Sequence, residues 1–161
     1  MKRLYLLLIL LLFFLFIFII LNLRGKSKFY KFYYPQGIRY GLVGEYRFIE
    51  NINGNKEKLV IEHYLLGPIN YLLKQNINKN ISLNNIWIVK NKKEKILIIN
   101  LKWDIDSDIK NNYIETKFFI DGLIRTIKEN LKINKIFILI NGELGNYKID
   151  FYNLLYPIVV K

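Results

Sequence analysis

The sequence predicts a mixed α/β (α+β) domain preceded by one N-terminal transmembrane helix. Three observations lead to this fold class: an unbroken apolar run near the start of the chain, several short stretches of alternating or continuous apolar residues, and two longer segments with apolar residues at helical spacing. Strand-like and helix-like segments are interspersed, which favours a mixed β-sheet with about two main helices packed on one face. A chain of 161 residues has room for one such domain besides the anchor.

The apolar run, Leu4–Leu21, is long enough to span a membrane. Its eighteen residues would cover about 27 Å as a helix, close to the hydrocarbon thickness of a bilayer. The run is longer than the apolar core of most secretory signals, and its one small-residue cleavage candidate, at 25–27, lies among basic residues. We therefore expect an uncleaved signal-anchor over 1–23 and a basic link over 24–28. A cleaved signal and a hydrophobic core helix are the alternatives.

The composition limits the classes of partner. The formal net charge is +12, so a domain beside a membrane could bind anionic lipid or nucleic acid. We expect no nucleic-acid binding, because the lysines are scattered among acidic residues and no arginine-rich run occurs. Basic residues flank the apolar run on both sides, so charge alone leaves the orientation open. Without cysteine, the sequence has no disulfide framework, no thiolate chemistry and no acceptor for a lipid anchor.

The domain proper, residues 29–161, is predicted to begin with two extended segments. Lys28–Pro35 interleaves aromatic and basic residues and ends at a proline, which is typical of a β-strand, although an interfacial aromatic belt would show the same pattern. Arg39–Glu50 is the second extended segment. The asparagine-rich stretch Asn51–Asn55 predicts a turn.

A first helix is predicted after this turn. Asn53 or Asn55 can cap it. Residues suited to its buried side recur at helical spacing: Leu59, Val60, His63, Tyr64 and Leu66. Gly67 can adopt the left-handed conformation that closes a helix, and Pro68 cannot continue it. The connection that follows, 69–82, is expected to contain at most a short helical turn.

The next segments predict a β-hairpin and a second helix. Ile86–Lys90 and Lys95–Trp103 are strands joined by a polar turn. The second strand would present one apolar face, formed by Leu97, Ile99, Leu101 and Trp103. Asn111–Leu131 predicts a long helix. Its buried stripe would consist of Ile120, Leu123, Ile124, Ile127 and Leu131.

The last part of the chain predicts a central strand and a tail. Ile133–Gly142 is apolar on both faces, as expected of a strand inside a sheet. The strand would end at Asn141 and Gly142, a pair typical of turns. The tail, 147–160, is expected to add a final strand or to strap the domain.

The order of these segments resembles that of the GerMN domain, an envelope module of sporulation and spore germination. The resemblance covers roughly residues 29–145 and rests on the stretches LVGEYRFI, HYLLGP, ILIINLKW, LIRTIKEN and IFILINGE. The family motifs would fall on Leu65, Leu66, Gly67, Pro68, Thr126, Asn141 and Gly142. The chain departs from the family where Asn141 replaces the usual aspartate, and where the apolar run replaces the lipid-accepting cysteine of many relatives.

The resemblance implies an extracytoplasmic module on a single-pass protein of the cytoplasmic membrane. Such a module would act through contacts with an envelope protein or the cell wall, and not as an enzyme. Its partners would be the membrane, through residues 4–21, and this envelope component, with a homo-oligomer left open. We accordingly expect no catalytic residue, cofactor or metal. Two alternatives are a small wall-modifying hydrolase that uses scattered carboxylates, and a cytoplasm-facing membrane subunit that binds anionic lipid.

Two groups of residues could carry chemistry instead. His63 could act as a general base, but the chain has no second histidine and no cysteine to partner it, so a structural histidine is expected. Four carboxylates have the spacing of an EF-hand calcium loop: Asp104, Asp106, Asp108 and Glu115. Ile109 stands where that loop needs glycine, and a strand precedes it. We expect these carboxylates to favour the N-terminus of the second helix and to bind no calcium.

Overall fold

The computed structural model describes residues 9–17, 27–37, 41–50, 55–74 and 80–160. These ranges contain both helices and strands, which confirms the predicted mixed α/β class. The helices are α1 (described over 9–17), α2 (Lys56–Leu65), α3 (Ile105–Asn111) and α4 (Tyr113–Asn130). The strands are β1 (Ser27–Pro35), β2 (Leu42–Glu50), β3 (Ser82–Lys90), β4 (Lys95–Lys102), β5 (Lys135–Ile140), β6 (Lys148–Ile149), β7 (Tyr152–Asn153) and β8 (Ile158–Val159).

The N-terminal helix α1 is described only over residues 9–17. No helix in the described ranges combines the length and the apolar character needed to cross a membrane. Most residues of the predicted anchor, 1–23, and of the basic link, 24–28, lie outside those ranges. The apolar run Leu4–Leu21 is described only over residues 9–17. The transmembrane helix therefore stays a prediction.

A four-stranded mixed sheet contains β3, β4, β5 and β8 in that order. β3 and β4 form the predicted antiparallel hairpin, and Asn91 N–H donates to Glu94 O in its turn (3.0 Å). β5 pairs parallel with β4 and antiparallel with β8, so it is a central strand, as its apolar sequence predicts. β3 begins at Ser82, earlier than the predicted Ile86.

One face of this sheet belongs to the main core. The predicted apolar face of the β4 segment is fully buried, and alternate residues of β5 extend it: Leu97, Ile99, Leu101, Trp103, Ile136, Ile138 and Ile140. The predicted stripe of α4 lies in the same core: Ile120, Leu123, Ile124, Ile127 and Leu131. The opposite face of the sheet is more open, since Trp87 and Val89 are about half exposed.

The sequence predicts one mixed sheet, but β1 and β2 form a separate two-stranded antiparallel sheet. β1 lies along α4, where Thr126 Oγ1 accepts a hydrogen bond from Tyr33 N–H (3.0 Å) and Asn130 Oδ1 accepts one from Lys31 N–H (2.9 Å). A strand edge needs partners for its backbone groups, and here helix side chains supply them. β1 therefore does not need another strand on this edge.

The predicted helix Asn111–Leu131 is confirmed as α4, within two residues at each end, but a short helix that was not predicted, α3, precedes it. α3 and α4 meet at Asn112, whose φ of −140° and ψ of 45° are not helical. α3 begins within the acidic cluster: Asp104 is its N-cap, and Asp108 accepts a hydrogen bond from Trp103 Nε1 (2.6 Å). These carboxylates thus cap and pack a short extra helix that the sequence pattern did not reveal.

Candidate functional site

The candidate site begins at the C-terminal end of α2, in the stretch LLGP. Asn55 caps the other end of this helix by accepting a hydrogen bond from Glu57 N–H (3.0 Å). At the C-terminal end, Gly67 has a φ of +82°, and its N–H donates to Tyr64 O (3.1 Å). The predicted left-handed closure at Gly67 is therefore confirmed, and Pro68 follows it directly.

α2 buries a somewhat different side from the one its sequence predicts. Its buried residues are Val60, Ile61 and Tyr64. Leu59 and His63 are half-buried, whereas Leu66 is 73% exposed. The helix ends at Leu65, so extending the helical spacing to Leu66 was wrong.

The buried side chain of Arg47, on β2, holds this helix end. Its guanidinium donates to the carbonyl oxygens of His63 (Nη1, 2.8 Å) and Gly67 (Nη2). The same group lies over the rings of Phe32 and Tyr34, at 4.8 and 5.2 Å from their centroids. Because the C-terminal end of a helix carries partial negative charge, a cation in this position is favourable.

Glu45, two residues away on the same strand, neutralises Arg47 and holds the chain beyond the helix. Its carboxylate accepts hydrogen bonds from Arg47 Nε (2.5 Å) and from the N–H groups of Ile69 (3.0 Å) and Asn70 (2.8 Å). Burial alone would raise the pKa of Glu45, but these hydrogen bonds outweigh it and lower that pKa below its usual value. The pair therefore fixes the backbone on both sides of Pro68.

The held backbone presents large apolar side chains to solvent. We call residues 66–72 the corner segment. Within it, Leu66, Ile69 and Tyr71 are 73%, 78% and 90% exposed, and Leu72 is about half exposed. The next residue, Leu73, is buried in the core. A group of exposed apolar side chains on an ordered backbone is a feature of association surfaces.

His63 lies near the C-terminal end of α2, and within the described ranges no hydrogen bond or ion pair joins its ring to another titratable side chain. Its ring packs against Phe32, with 6.4 Å between centroids. Burial, followed by the positive charge of Arg47, lowers the pKa of His63 below 6.5. No group of three histidine, aspartate or glutamate side chains in the described ranges could hold a metal. What His63 contributes to the site is its carbonyl oxygen, which binds Arg47.

The structure does not bring the predicted motif residues together. Leu65, Leu66, Gly67 and Pro68 form the end of α2. Thr126 is fully buried between α4 and β1, where it binds Tyr33 N–H. Asn141 (φ +53°) and Gly142 (φ +94°) form the turn after β5, and the Asn141 side chain binds both backbone groups of Trp103 (3.1 and 2.9 Å). These residues serve three different parts of the fold.

The four carboxylates with calcium-loop spacing have separate roles in the structure. Asp104 caps α3, Asp108 binds Trp103 Nε1, and Asp106 accepts a hydrogen bond from Tyr147 Oη (3.4 Å). Glu115 lies in the first turn of α4. The helix α3 occupies the positions that would have to form the calcium loop.

A second group of carboxylates, which the sequence pattern did not indicate, lies beside an open groove of about 610 Å³ between α4 and β8. Lys117 Nζ is 2.9 Å from Asp150 and 3.9 Å from Asp121. Burial raises the pKa of Asp121 against the opposing effects of Tyr152 and Lys117, and the pKa of Tyr152 is raised to about 12. Lys117 thus forms a small ion-pair network with the two carboxylates, which is a structural arrangement.

Sequence reasoning missed Glu45 and Arg47 as organising residues. They lie two positions apart in the strand LVGEYRFI, and such a spacing places two side chains on one face of a strand. An opposite-charge pair at this spacing within an apolar strand was the available signal. Their partners at His63, Gly67 and Ile69 could be known only from the fold.

Comparisons with known proteins do not show to which family the chain belongs. No family model matches the chain, and no curated protein matches it. A crystal structure described as "Putative Lipoprotein from Clostridium perfringens" is similar at 17% sequence identity and a TM-score of 0.45, over 83% of this chain and 88% of that chain. The resemblance to the GerMN domain accordingly rests on the sequence stretches alone.

Proposed function

We propose that the chain is a non-enzymatic, GerMN-like interaction module tethered to the outer face of the cytoplasmic membrane, and that its corner segment contacts an envelope protein. One observation carries this proposal: Leu66, Ile69 and Tyr71 are turned to solvent on a backbone held by Arg47 and Glu45. Water-exposed apolar side chains gain free energy when a partner covers them, about 1.5–3 kcal/mol for a fully buried large side chain.

The held backbone strengthens this argument. Binding usually costs the entropy of ordering loops and side chains at an interface. In the corner segment, hydrogen bonds from Ile69 and Asn70 to Glu45 already order the backbone before any partner arrives. Tyrosine, exposed here at Tyr71, is also one of the residue types that most often dominate the binding energy of an interface.

The membrane location and the outward orientation are supported by the sequence. The apolar run Leu4–Leu21 has the length of a membrane span. The GerMN resemblance favours the outer face and an envelope partner. The hydrolase alternative would depend on Asp121 and Asp150, which share Lys117, and this arrangement favours a structural ion pair.

Site-specific photocrosslinking in native membranes tests the proposal. A photoreactive phenylalanine analogue at Tyr71 should yield a discrete adduct with one envelope protein. The matched control is the same analogue at Phe151, which is 91% exposed on another surface and should yield no such adduct. Adding Ile69→Asp should remove the Tyr71 adduct. Equal adducts from both positions, or none from Tyr71, would count against the corner segment.

Protease accessibility tests the orientation separately. In intact spheroplasts, an added protease should digest the domain if it faces outward. Protection until the membrane is permeabilised would instead favour the cytoplasm-facing alternative.

A further inference from the structure

We propose that the domain rests with one end on the anionic surface of the membrane to which it is tethered, through an exposed pair of phenylalanines and a surrounding group of lysines. This inference rests on the membrane tether of the proposed function. It concerns the opposite end of α2 from the corner segment, so the two surfaces would act at the same time.

The starts of several elements meet at this end, which we call the basal pole. β1 joins the end of α4 at its middle residue, through Lys31 N–H and Asn130 Oδ1 (2.9 Å), so the start of the strand reaches beyond that helix end. Lys56 Nζ, at the start of α2, donates to Asn130 O (2.5 Å). The start of β5 joins the β3–β4 turn through the ion pair of Lys135 with Glu94 (2.8 Å). These contacts place the loops between the elements on one side of the domain.

The basal pole is strongly basic. Among the described residues, ten lysines lie there: Lys31, Lys56, Lys58, Lys90, Lys92, Lys93, Lys95, Lys128, Lys132 and Lys135. Against them stand the glutamates Glu50, Glu57, Glu62, Glu94 and Glu129, three of which are paired with Lys58, Lys95 and Lys135. Several of these lysines, including Lys92, Lys93 and Lys132, are exposed. Clustered lysines beside a membrane attract anionic headgroups, each weakly but cumulatively.

The other pole has the opposite balance. Around α3, the start of α4 and the ends of β4 and β5 lie the acidic residues Asp104, Asp106, Asp108, Glu115, Glu143 and Asp150, with the lysines Lys102, Lys110, Lys117 and Lys148. The charge of the domain is therefore polarised along the strands. A polarised domain facing an anionic surface is oriented by that surface, with the basic end toward it.

Two exposed phenylalanines lie at the basal pole. Phe29 and Phe48 are cross-strand partners of β1 and β2, and their ring centroids are 5.3 Å apart. They are 72% and 55% exposed. On the same face, Lys31 Nζ lies 5.1 Å from the ring centroid of the exposed Tyr46. Aromatic rings next to basic groups are the combination that favours the boundary between headgroups and acyl chains.

The length of the connecting chain selects the membrane as the occupant of this surface. The apolar run ends at Leu21 and β1 begins at Ser27. Even fully extended, this connection spans only about 20 Å, at 3.3–3.6 Å per residue. Phe29 therefore stays close to the bilayer whenever the run is inserted, and the effective concentration of lipid at the basal pole is high.

Depth-dependent quenching in vesicles tests the proposal with the full-length chain. The natural chain has no cysteine, so Phe48→Cys can be labelled at one position with an aromatic fluorophore that replaces the phenyl ring it removes, and Phe151→Cys, another exposed phenylalanine, is the matched control. The vesicles contain phosphatidylcholine and phosphatidylglycerol in equal parts, with a quencher at headgroup depth. Quenching at position 48 should exceed that at position 151 roughly threefold, because a docked label lies at that depth.

Charge reversal tests the lysines. Lys92→Glu, Lys93→Glu and Lys132→Glu together should abolish the difference between the two labels, and so should salt of about 1 M, where the Debye length falls to about 3 Å. The control triple Lys102→Glu, Lys110→Glu and Lys148→Glu, at the other pole, should preserve it. Equal quenching at positions 48 and 151 in anionic vesicles would overturn the proposal. So would a difference that persists in pure phosphatidylcholine and grows with protein density, which would indicate contact between copies.

Flotation of the same samples separates this inference from the tether. A chain that floats with the vesicles at about 1 M salt but shows equal quenching at positions 48 and 151 in low salt retains the tether and overturns only the docking. A chain that no longer floats under these conditions lacks the tether, and both proposals then fail.

Discussion

At the scale of single residues, Arg47 connects β2 to the end of α2. A buried cation is tolerated only when it is paired and hydrogen-bonded, and removing one partner of such a pair is costly. Arg47 satisfies this condition with Glu45 and the carbonyl oxygens of His63 and Gly67. The corner segment thus depends on a charge pair from another part of the chain.

Gly67→Val should destabilise the domain. At a φ of +82° a β-branched residue is strained, and the penalty is roughly 1–2 kcal/mol. Pro68 disfavours the right-handed helical region for the residue before it, so position 67 cannot relax by continuing the helix. Urea unfolding of residues 29–161 should show a lower midpoint for Gly67→Val and a smaller loss for Gly67→Asn. Equal midpoints of the valine variant and the natural chain would contradict this role.

Glu45 should make the stability of the domain sensitive to acid. Its pKa is lower in the folded chain than its usual value of 4.5, so its contribution is present above that value and is lost as the pH falls through the folded pKa. The free energy of unfolding should therefore fall more steeply from about pH 5 to about pH 3 for the natural chain than for Glu45→Gln. Glu62→Gln, an exposed glutamate of α2, controls for removal of a surface carboxylate. Parallel pH profiles for the natural chain and Glu45→Gln would argue against this account.

At the scale of elements, the contact between α4 and β1 is unusually close. Gly122 makes this possible: a Cβ there would lie 2.5 Å from Tyr33 O and 2.6 Å from Tyr64 Oη. Further along the same side of α4, Thr126 and Asn130 bind the edge of β1. The helix therefore takes the place that a neighbouring strand would occupy in a larger sheet.

Gly122→Ala should destabilise the domain although alanine is the better helix former. The gain in helix propensity is about 1 kcal/mol. Forcing a backbone oxygen away from an added methyl group typically costs about 1–3 kcal/mol in a packed core. Overpacking should therefore prevail, and thermal unfolding should show a lower midpoint. An unchanged or higher midpoint would show that β1 can move away from α4.

Thr126→Val should also destabilise, through a lost hydrogen bond. The valine has nearly the same shape but leaves Tyr33 N–H buried without a partner, which costs about 1–3 kcal/mol. Thr126→Ser keeps the hydroxyl and should lose less. Chemical unfolding of the three proteins measures this order, and equal stability of valine and threonine would exclude the hydrogen bond as the reason for Thr126.

At the scale of the whole molecule, the proposed parts have consistent positions. The chain reaches β1 at the basic basal pole, and the corner segment lies at the other end of α2. A domain docked by its basal pole would hold Leu66, Ile69 and Tyr71 away from the bilayer. The two proposals are therefore compatible with one orientation of the domain, in which the basal pole contacts lipid and the corner segment contacts a protein partner farther from the membrane.

The full-length protein should stay in the membrane pellet after an alkaline carbonate wash, because Leu4–Leu21 is long enough to span the bilayer. A variant that lacks residues 1–23 is the control and should appear in the supernatant. Release of a shortened soluble form from the natural protein would show that the segment is a cleaved signal.

Much of the secondary structure could be predicted because its causes are local. The hairpin of β3 and β4, the central strand β5 and the cap at Gly67 all follow from side-chain alternation, turn residues and backbone sterics within a few positions. The helix α3 was not predicted, because its seven residues are too few for a clear helical period, and the contact of Asp108 with Trp103 is known only from the fold. The exposure of Leu66 was missed because the helical spacing of buried residues was extended one position beyond Leu65, the last residue of α2.

The sequence by itself determined the fold class, most strand and helix positions, the left-handed closure at Gly67 and the expectation of a membrane anchor. These properties depend on neighbouring residues and on the length of an apolar run. Only the tertiary structure decided that β1 and β2 leave the main sheet, that Arg47 holds the end of α2, and that lysines from separate elements share one pole. Each of these depends on contacts between residues distant in sequence, such as Tyr33 with Thr126, and local sequence patterns do not indicate such contacts.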